Sequence, residues 1–187
     1  MRGGMNIGAW DHAWRKYPDH DAYLFLQDEC SPIRDGWLSA YVSKGEEYGV
    51  GLVGESINEK WVRSWDGLKR MWEGHEMPDH LLNGMVVNRI DLYLDFLERI
   101  GIPPGSDGAH LRALVWYAKR SVLKQIGGFP TGRTLGECIA SEIAVSKKVQ
   151  AVGLQAVQVA TMPFTYFAHR ELIQDSEQGS SFYRKLV

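Results

Sequence analysis

Cysteine is scarce: Cys30 and Cys138 are the only two among 187 residues. Two cysteines make no disulfide framework, so a reducing compartment is expected. Long hydrophobic runs are missing as well, and nothing approaches the roughly 20 apolar residues of a membrane-spanning helix. The opening Met1-Arg-Gly-Gly-Met5 lacks the apolar core of a signal peptide. Excess charge of either sign is absent: 21 basic against 23 acidic side chains leave a net charge of −2. That gives no electrostatic footprint for nucleic acid and no polybasic patch for a membrane surface. There is no internal repeat, no low-complexity segment, no Walker lysine and no complete G-x-G-x-x-G. What remains is the expectation of a cytoplasmic, soluble domain with no nucleic-acid partner and no membrane span.

The composition, 44% hydrophobic and 24% charged, is globular, and the chain is long enough to bury a core. Seven Trp and eight Tyr suit either a large core or a cleft on which sugar rings stack. The most informative stretch is Ala22-Tyr-Leu-Phe-Leu-Gln-Asp-Glu-Cys-Ser-Pro32. Its apolar start reads as a fully buried strand, and it runs directly into Asp28 and Glu29. Neighbouring carboxylates repel and raise each other's pKa unless a cation lies between them. Carboxylate oxygens are the ligands hard divalent cations prefer, and ligands of open α/β sheets bind beyond the carboxyl ends of strands. Asp28 and Glu29 are therefore either a metal site or an ordinary polar strand end.

Around this stretch, residues 1–9 read as a glycine-rich loop leading into a short amphipathic segment, Trp10 to Lys16. Asp35 is placed to N-cap a helix from Gly36 through Tyr41. Gly49 to Gly54 reads as a second buried strand. Trp61, Trp65, Leu68 and Trp72 recur at helical spacing, which favours core over a sugar platform. His75 and His80 flank Pro78 in a loop and match no zinc spacing. Residues 89–100 form an amphipathic helix with Gly101 as its C-cap and a Pro-Pro-Gly stop. The breaker-rich segment 73–110 reads as an excursion from the sheet, where specificity often resides. A strand over Leu111 to Ala118, a short helix from Arg120 to Ile126, a longer helix from Leu135 to Val152, and strands at 154–160 and 164–169 complete the pattern. The last fifteen or so residues read as a polar tail.

The long helix carries Glu137 and Glu142. At 100° per residue Glu142 shares a face with Val145, Val149 and Val152. Glu137 lies in the first turn, where its charge suits the helix dipole. A carboxyl group held against apolar surface has a raised pKa and suits a general base. Glu142 is thus the catalytic candidate, or else a partly buried Glu paired with an Arg or Lys. His169 stands at the end of the last strand, eligible to complete a metal site.

In order, these pieces resemble the catalytic half of a glycosyltransferase with the GT-A fold, close to glycosyltransferase family 2, from about Asn6 to His169. Asn6-Ile-Gly8-Ala9 is similar to the family's N-x-G-x-x-x-A loop. Tyr23-Leu-Phe-Leu-Gln-Asp-Glu-Cys30 with Gly36-Trp37-Leu38 resembles its FLxDD…GWL segment. Arg120-Ser-Val-Leu-Lys-Gln-Ile-Gly-Gly-Phe129 matches R-x-V-L-x-x-I-G-G-F. The family's E-D pair aligns with Ser141-Glu142 and its closing histidine with His169.

The resemblance implies an α/β fold, a partial GT-A mixed sheet flanked by helices. It implies sugar transfer from a nucleotide-diphosphate-sugar donor to a glycan or glycolipid acceptor, inverting and dependent on Mg2+ or Mn2+. Asp28, Glu29 and His169 would hold the metal and Glu142 would be the base. Gly127, Gly128, Phe129, Trp37 and Asn6 would contact substrate. Gln27 and Ser141 replace acidic residues of the family pattern, and the family's first half has no counterpart before Asn6. The expectation is a single domain over 1–170, truncated at its N-terminus, with a tail over 171–187. Its apolar strand, mid-sheet in the full fold, would then lie at an edge, and a homo-oligomer or a partner supplying the missing half would cover it. The alternative to an enzyme is a non-catalytic GT-A-like binding or assembly subunit, or an inactive fragment.

Overall fold

A computed structural model describes residues 5–74, 76–79 and 85–169. The expected histidine loop at His75 and His80, and the tail 171–187, lie outside the described residues.

The first element among the described residues is a helix, which takes in residues 5–9 of the expected glycine-rich loop. Helix α1 spans Met5–Lys16 and buries Ile7, Trp10 and Trp14. That i, i+3, i+7 spacing offers the helix a continuous apolar seam, which outweighs the cost of about 1 kcal/mol for Gly8 in a helix interior.

Strand β1, Ala22–Leu26, leads to the short β2, Cys30–Pro32, and to α2, Trp37–Gly45. Gly36, not Asp35, occupies the N-cap of α2, at φ 77° and without a side-chain cap bond. Strand β3, Val50–Gly54, is followed by a short 3-10 turn at Glu59–Trp61 and by α3, Trp65–Met71. A hairpin of β4, Glu76–Asp79, and β5, Met85–Asn88, leads into α4, Arg89–Arg99. Gly101, at φ 69°, ends α4 as its sequence indicates. Then come β6, Val115–Lys119, α5, Arg120–Gln125, and α6, Leu135–Ala151. Two strands close the fold, β7 at Gln155–Gln158 and β8 at Phe167–His169.

The main sheet has four strands in the order β1-β6-β3-β7. Strand β6 is antiparallel to β1 and β3, whereas β3 and β7 are parallel. The carboxyl ends of β1, β3 and β7 therefore meet the amino end of β6 at one margin of a mixed α/β sheet. Strand β6 alternates as a two-faced strand should. Trp116 and Ala118 face a core shared with α1 and α6, and Val115 and Tyr117 face one shared with α2 and β8. A third core, between α3, α4 and α6, holds Leu68, Tyr93, Phe96 and Ile143. Trp61 belongs to it and Trp65 and Trp72 pack against it, as their helical spacing indicates.

Three boundaries differ from the sequence reading for physical reasons. β1 is not fully buried: Phe25 is covered but Leu26 is 41% exposed, because β1 is the sheet margin and pairs with β6 alone among the described strands. The expected strand from Leu111 starts only at Val115. The amides of Leu111, Arg112 and Ala113 donate instead to Ser146 Oγ, the Ser56 carbonyl and Glu142 Oε2. Glu137 is buried, not merely a first-turn charge. It pairs with Arg99 of α4 and accepts the Arg133 amide at 2.7 Å. Helix α6 is covered on two sides, so carboxylates well apart on its circumference are both enclosed.

Candidate functional site

Beyond the converging strand ends lies a cavity of about 320 Å³, at the small end of the roughly 300–1,000 Å³ range of ligand pockets. One wall comes from the turn after β1 and from β8: Gln27, Glu29 and His169 line it. The opposite wall is α6 with Ile139, Glu142 and Ile143, and the segments before α3 and β6 add Asn58, Trp61, His110, Arg112 and Leu114.

The first wall exists because β2 and β8 pair, with Cys30 opposite His169. Pairing brings His169 Nε2 to 3.0 Å from Gln27 Oε1 and 3.3 Å from Glu29 Oε2. His169 is 5% exposed, and its Nδ1 is buried without a partner among the described residues. Asp28 is exposed in the turn and is not among the cavity-lining residues. Gln27, not Asp28, thus stands with Glu29 and His169. No group of three His, Cys, Asp or Glu side chains gathers around one point among the described residues. The converging atoms are instead an amide oxygen, a carboxylate oxygen and an imidazole nitrogen. These are donor types that could hold a divalent cation.

Glu142 faces this wall from α6. Enclosure by protein pushes its carboxyl up to about 7, against the Ala113 amide, which donates to Oε2 at 3.2 Å, and the nearby Arg112 charge. At that value the group is part ionised near neutrality and able to accept a proton. Asn6 acts behind it: its Nδ2 donates to the Ala113 carbonyl at 2.9 Å, fixing the peptide whose amide holds Glu142.

A third side carries polar groups that the sequence reading did not single out. His110 is 6% exposed, and burial, with Arg112 and Lys147 nearby, lowers its pKa to about 4. It is neutral, and its Nδ1 donates to the Gly108 carbonyl at 2.7 Å. Asn58 Nδ2 lies 3.4 Å from His110 Nε2, and Arg112 Nη2 donates to Asn58 Oδ1 at 3.4 Å. The available signal was local: His110 and Arg112 alternate with apolar Leu111 just before a buried strand.

The remaining expected substrate contacts do not line the cavity. Phe129 is core, edge-on to Phe25 and Trp116. The Gly127 and Gly128 carbonyls accept from Arg15 Nη2 at 2.8 Å and Lys148 Nζ at 3.0 Å. Trp37 packs edge-on against Phe167. No described helix is long and apolar enough to cross a membrane. Comparison with protein-family models, with curated proteins and with solved structures found no match to the chain.

Proposed function

We propose that the chain is a glycosyltransferase that moves a sugar from a nucleotide-diphosphate-sugar donor to a hydroxyl of a glycan or lipid-linked acceptor, with inversion. The observation that carries this reading is the single cavity with Glu142 on one wall and Gln27, Glu29 and His169 on the other. In inverting transfer the acceptor oxygen bonds to the anomeric carbon while the bond to the diphosphate oxygen breaks, its electron pair leaving with the diphosphate. Glu142 receives the hydroxyl proton. Asn6 and the Ala113 amide keep that carboxyl in register. Gln27, Glu29 and His169 would hold Mg2+ or Mn2+, which when bound neutralises the charge developing on a diphosphate leaving group. The GT-A resemblance of the Arg120–Phe129 segment supports the same reading from the sequence, although those residues form α5 and core and not the cavity wall.

The test is calorimetry with UDP- and GDP-sugars in the presence of Mn2+, followed by release of free nucleotide with candidate acceptors. Glu29→Gln is expected to remove metal-dependent donor binding. Glu142→Gln is expected to keep it and to lower turnover at least about 100-fold. Absence of metal-dependent donor binding in the wild type would overturn the proposal. Donor binding without turnover in the wild type would favour the alternative of a non-catalytic binding subunit.

A further inference from the structure

Arg112 lines the cavity and acts on Glu142 through its charge, yet it is in no ion pair among the described residues. Lys147, the other cation that acts on His110, is engaged with Asp107 at 2.9 Å. Arg112, in contrast, makes no ion pair among the described residues; its side-chain bond is the 3.4 Å donation to Asn58 Oδ1. Its Nε is buried without a partner. A guanidinium presents five N–H donors in a planar fork, and here most of them are unspent beside a cavity they help to line. Its own backbone is fixed, because the Arg112 amide donates to the Ser56 carbonyl at 2.9 Å. The neutral His110 behind Asn58 adds no competing charge. A guanidinium steadied by Asn58, without an ion pair among the described residues and set at a cavity wall, is the arrangement that takes a planar pair of anionic oxygens bidentately. Two carboxylates share the cavity, but Glu29 is turned toward His169 and Glu142 receives the Ala113 amide, leaving the Asn58 side to Arg112.

We propose that Arg112, braced by Asn58, is an anion-recognition subsite that binds a carboxylate or phosphoryl group of the substrate next to Glu142. The proposal deepens the glycosyl-transfer reading and rests on it for the identity of the cavity. The anion has two chemical sources, a carboxylate on a sugar ring or a phosphoryl group of the donor, and both use the same two-oxygen contact. An anion held there would also offset the Arg112 charge that acts on Glu142 and leave the carboxyl a stronger base once substrate is seated.

The probes are D-glucuronate, D-glucose and inorganic pyrophosphate, titrated without metal onto the wild-type chain, Arg112→Gln and Arg112→Lys. At least one anion is expected to bind about tenfold or more tightly than glucose, the scale of one charge-assisted bidentate contact. Preference for glucuronate assigns the sugar carboxylate, and preference for pyrophosphate alone assigns the phosphoryl group. Arg112→Gln should abolish the preference and Arg112→Lys should retain part of it. Equal binding of all three by the wild type overturns the subsite even if a variant fails to fold, and so does a preference that survives in Arg112→Gln. The two readings fail separately. An anion preference without any sugar transfer keeps the subsite and defeats the transfer reading, whereas transfer that is indifferent to Arg112→Gln does the reverse.

Discussion

A carboxyl group raised from 4.5 to about 7 by burial binds its proton more tightly folded than unfolded. Glu142 therefore stabilises the fold fully below about pH 4.5, and that contribution is lost as pH rises through about 7. Discounted for the cavity's access to water, the loss is on the order of 2 kcal/mol. Urea unfolding at about pH 5 and about pH 8 should show the wild type declining relative to Glu142→Gln by this amount. His110 pulls the other way, because burial lowers it to about 4, so only the difference between wild type and variant isolates Glu142. Transfer activity should run opposite to this stability, rising through about pH 7 as Glu142 ionises. A second carboxyl carries a different burden. Glu55 is 1% exposed, accepts the Tyr41 hydroxyl at 2.6 Å and the Tyr166 amide at 2.7 Å, and burial raises its pKa despite those bonds. By clamping the residues just before β8 it steadies the strand that presents His169. Tyr41→Phe leaves that carboxyl one donor short and should cost about 1–3 kcal/mol in urea unfolding.

Between one residue and the whole fold, the joint of α5 with α1 shows how a segment can match a pattern and yet be scaffold. Gly127 and Gly128 both have positive φ, 67° and 80°. A Cβ at Gly127 meets nothing closer than Lys148 Nζ at 3.9 Å, whereas one at Gly128 would collide with Arg15, Asp11 and Trp14. Asp11 is also spoken for, since its Oδ1 accepts the Phe129 amide at 2.8 Å. Gly127→Ala should cost only the left-handed strain, about 1–2 kcal/mol, and Gly128→Ala about 3 kcal/mol or more, as displacement of α1 is added. Chemical denaturation of the two variants side by side reads the difference. Helix α4, with its apolar residues at helical spacing, and α6, an unbroken helix-forming run that ends before Gly153, were legible from sequence nearly to the residue. Elements decided by distant partners were not. Gly8 concealed α1, whose seam has meaning only against Phe25 and Trp116, and the start of β6 was trimmed because its amides were claimed by Ser56, Ser146 and Glu142. The same distinction separates the site residues. Glu142 could be read from its wheel, but Gln27 displaced Asp28 through a strand pairing that no local pattern encodes.

At the scale of the molecule, β1 has no strand on its outer side among the described residues, beside Tyr23, Leu24 and the 41% exposed Leu26. Such an edge invites strand pairing between copies. Sedimentation velocity is expected to show association rising with concentration, reduced in Leu26→Lys, with unfolding free energy changed by no more than about 0.5 kcal/mol. The apolar character of this stretch was plain in the sequence, but its marginal place depends on which strands exist to flank it. The bond from His169 to Gln27 joins residues 142 positions apart. During synthesis at about 5–20 residues per second, roughly 7–30 s separate the emergence of its two ends. Over that interval the turn after β1 has no imidazole to meet. Until Val115 arrives opposite Leu26, β1 also has no partner from within the main sheet. The cavity wall of Gln27, Glu29 and His169 therefore cannot form until β8 has emerged, after β1 and β6 have become able to pair.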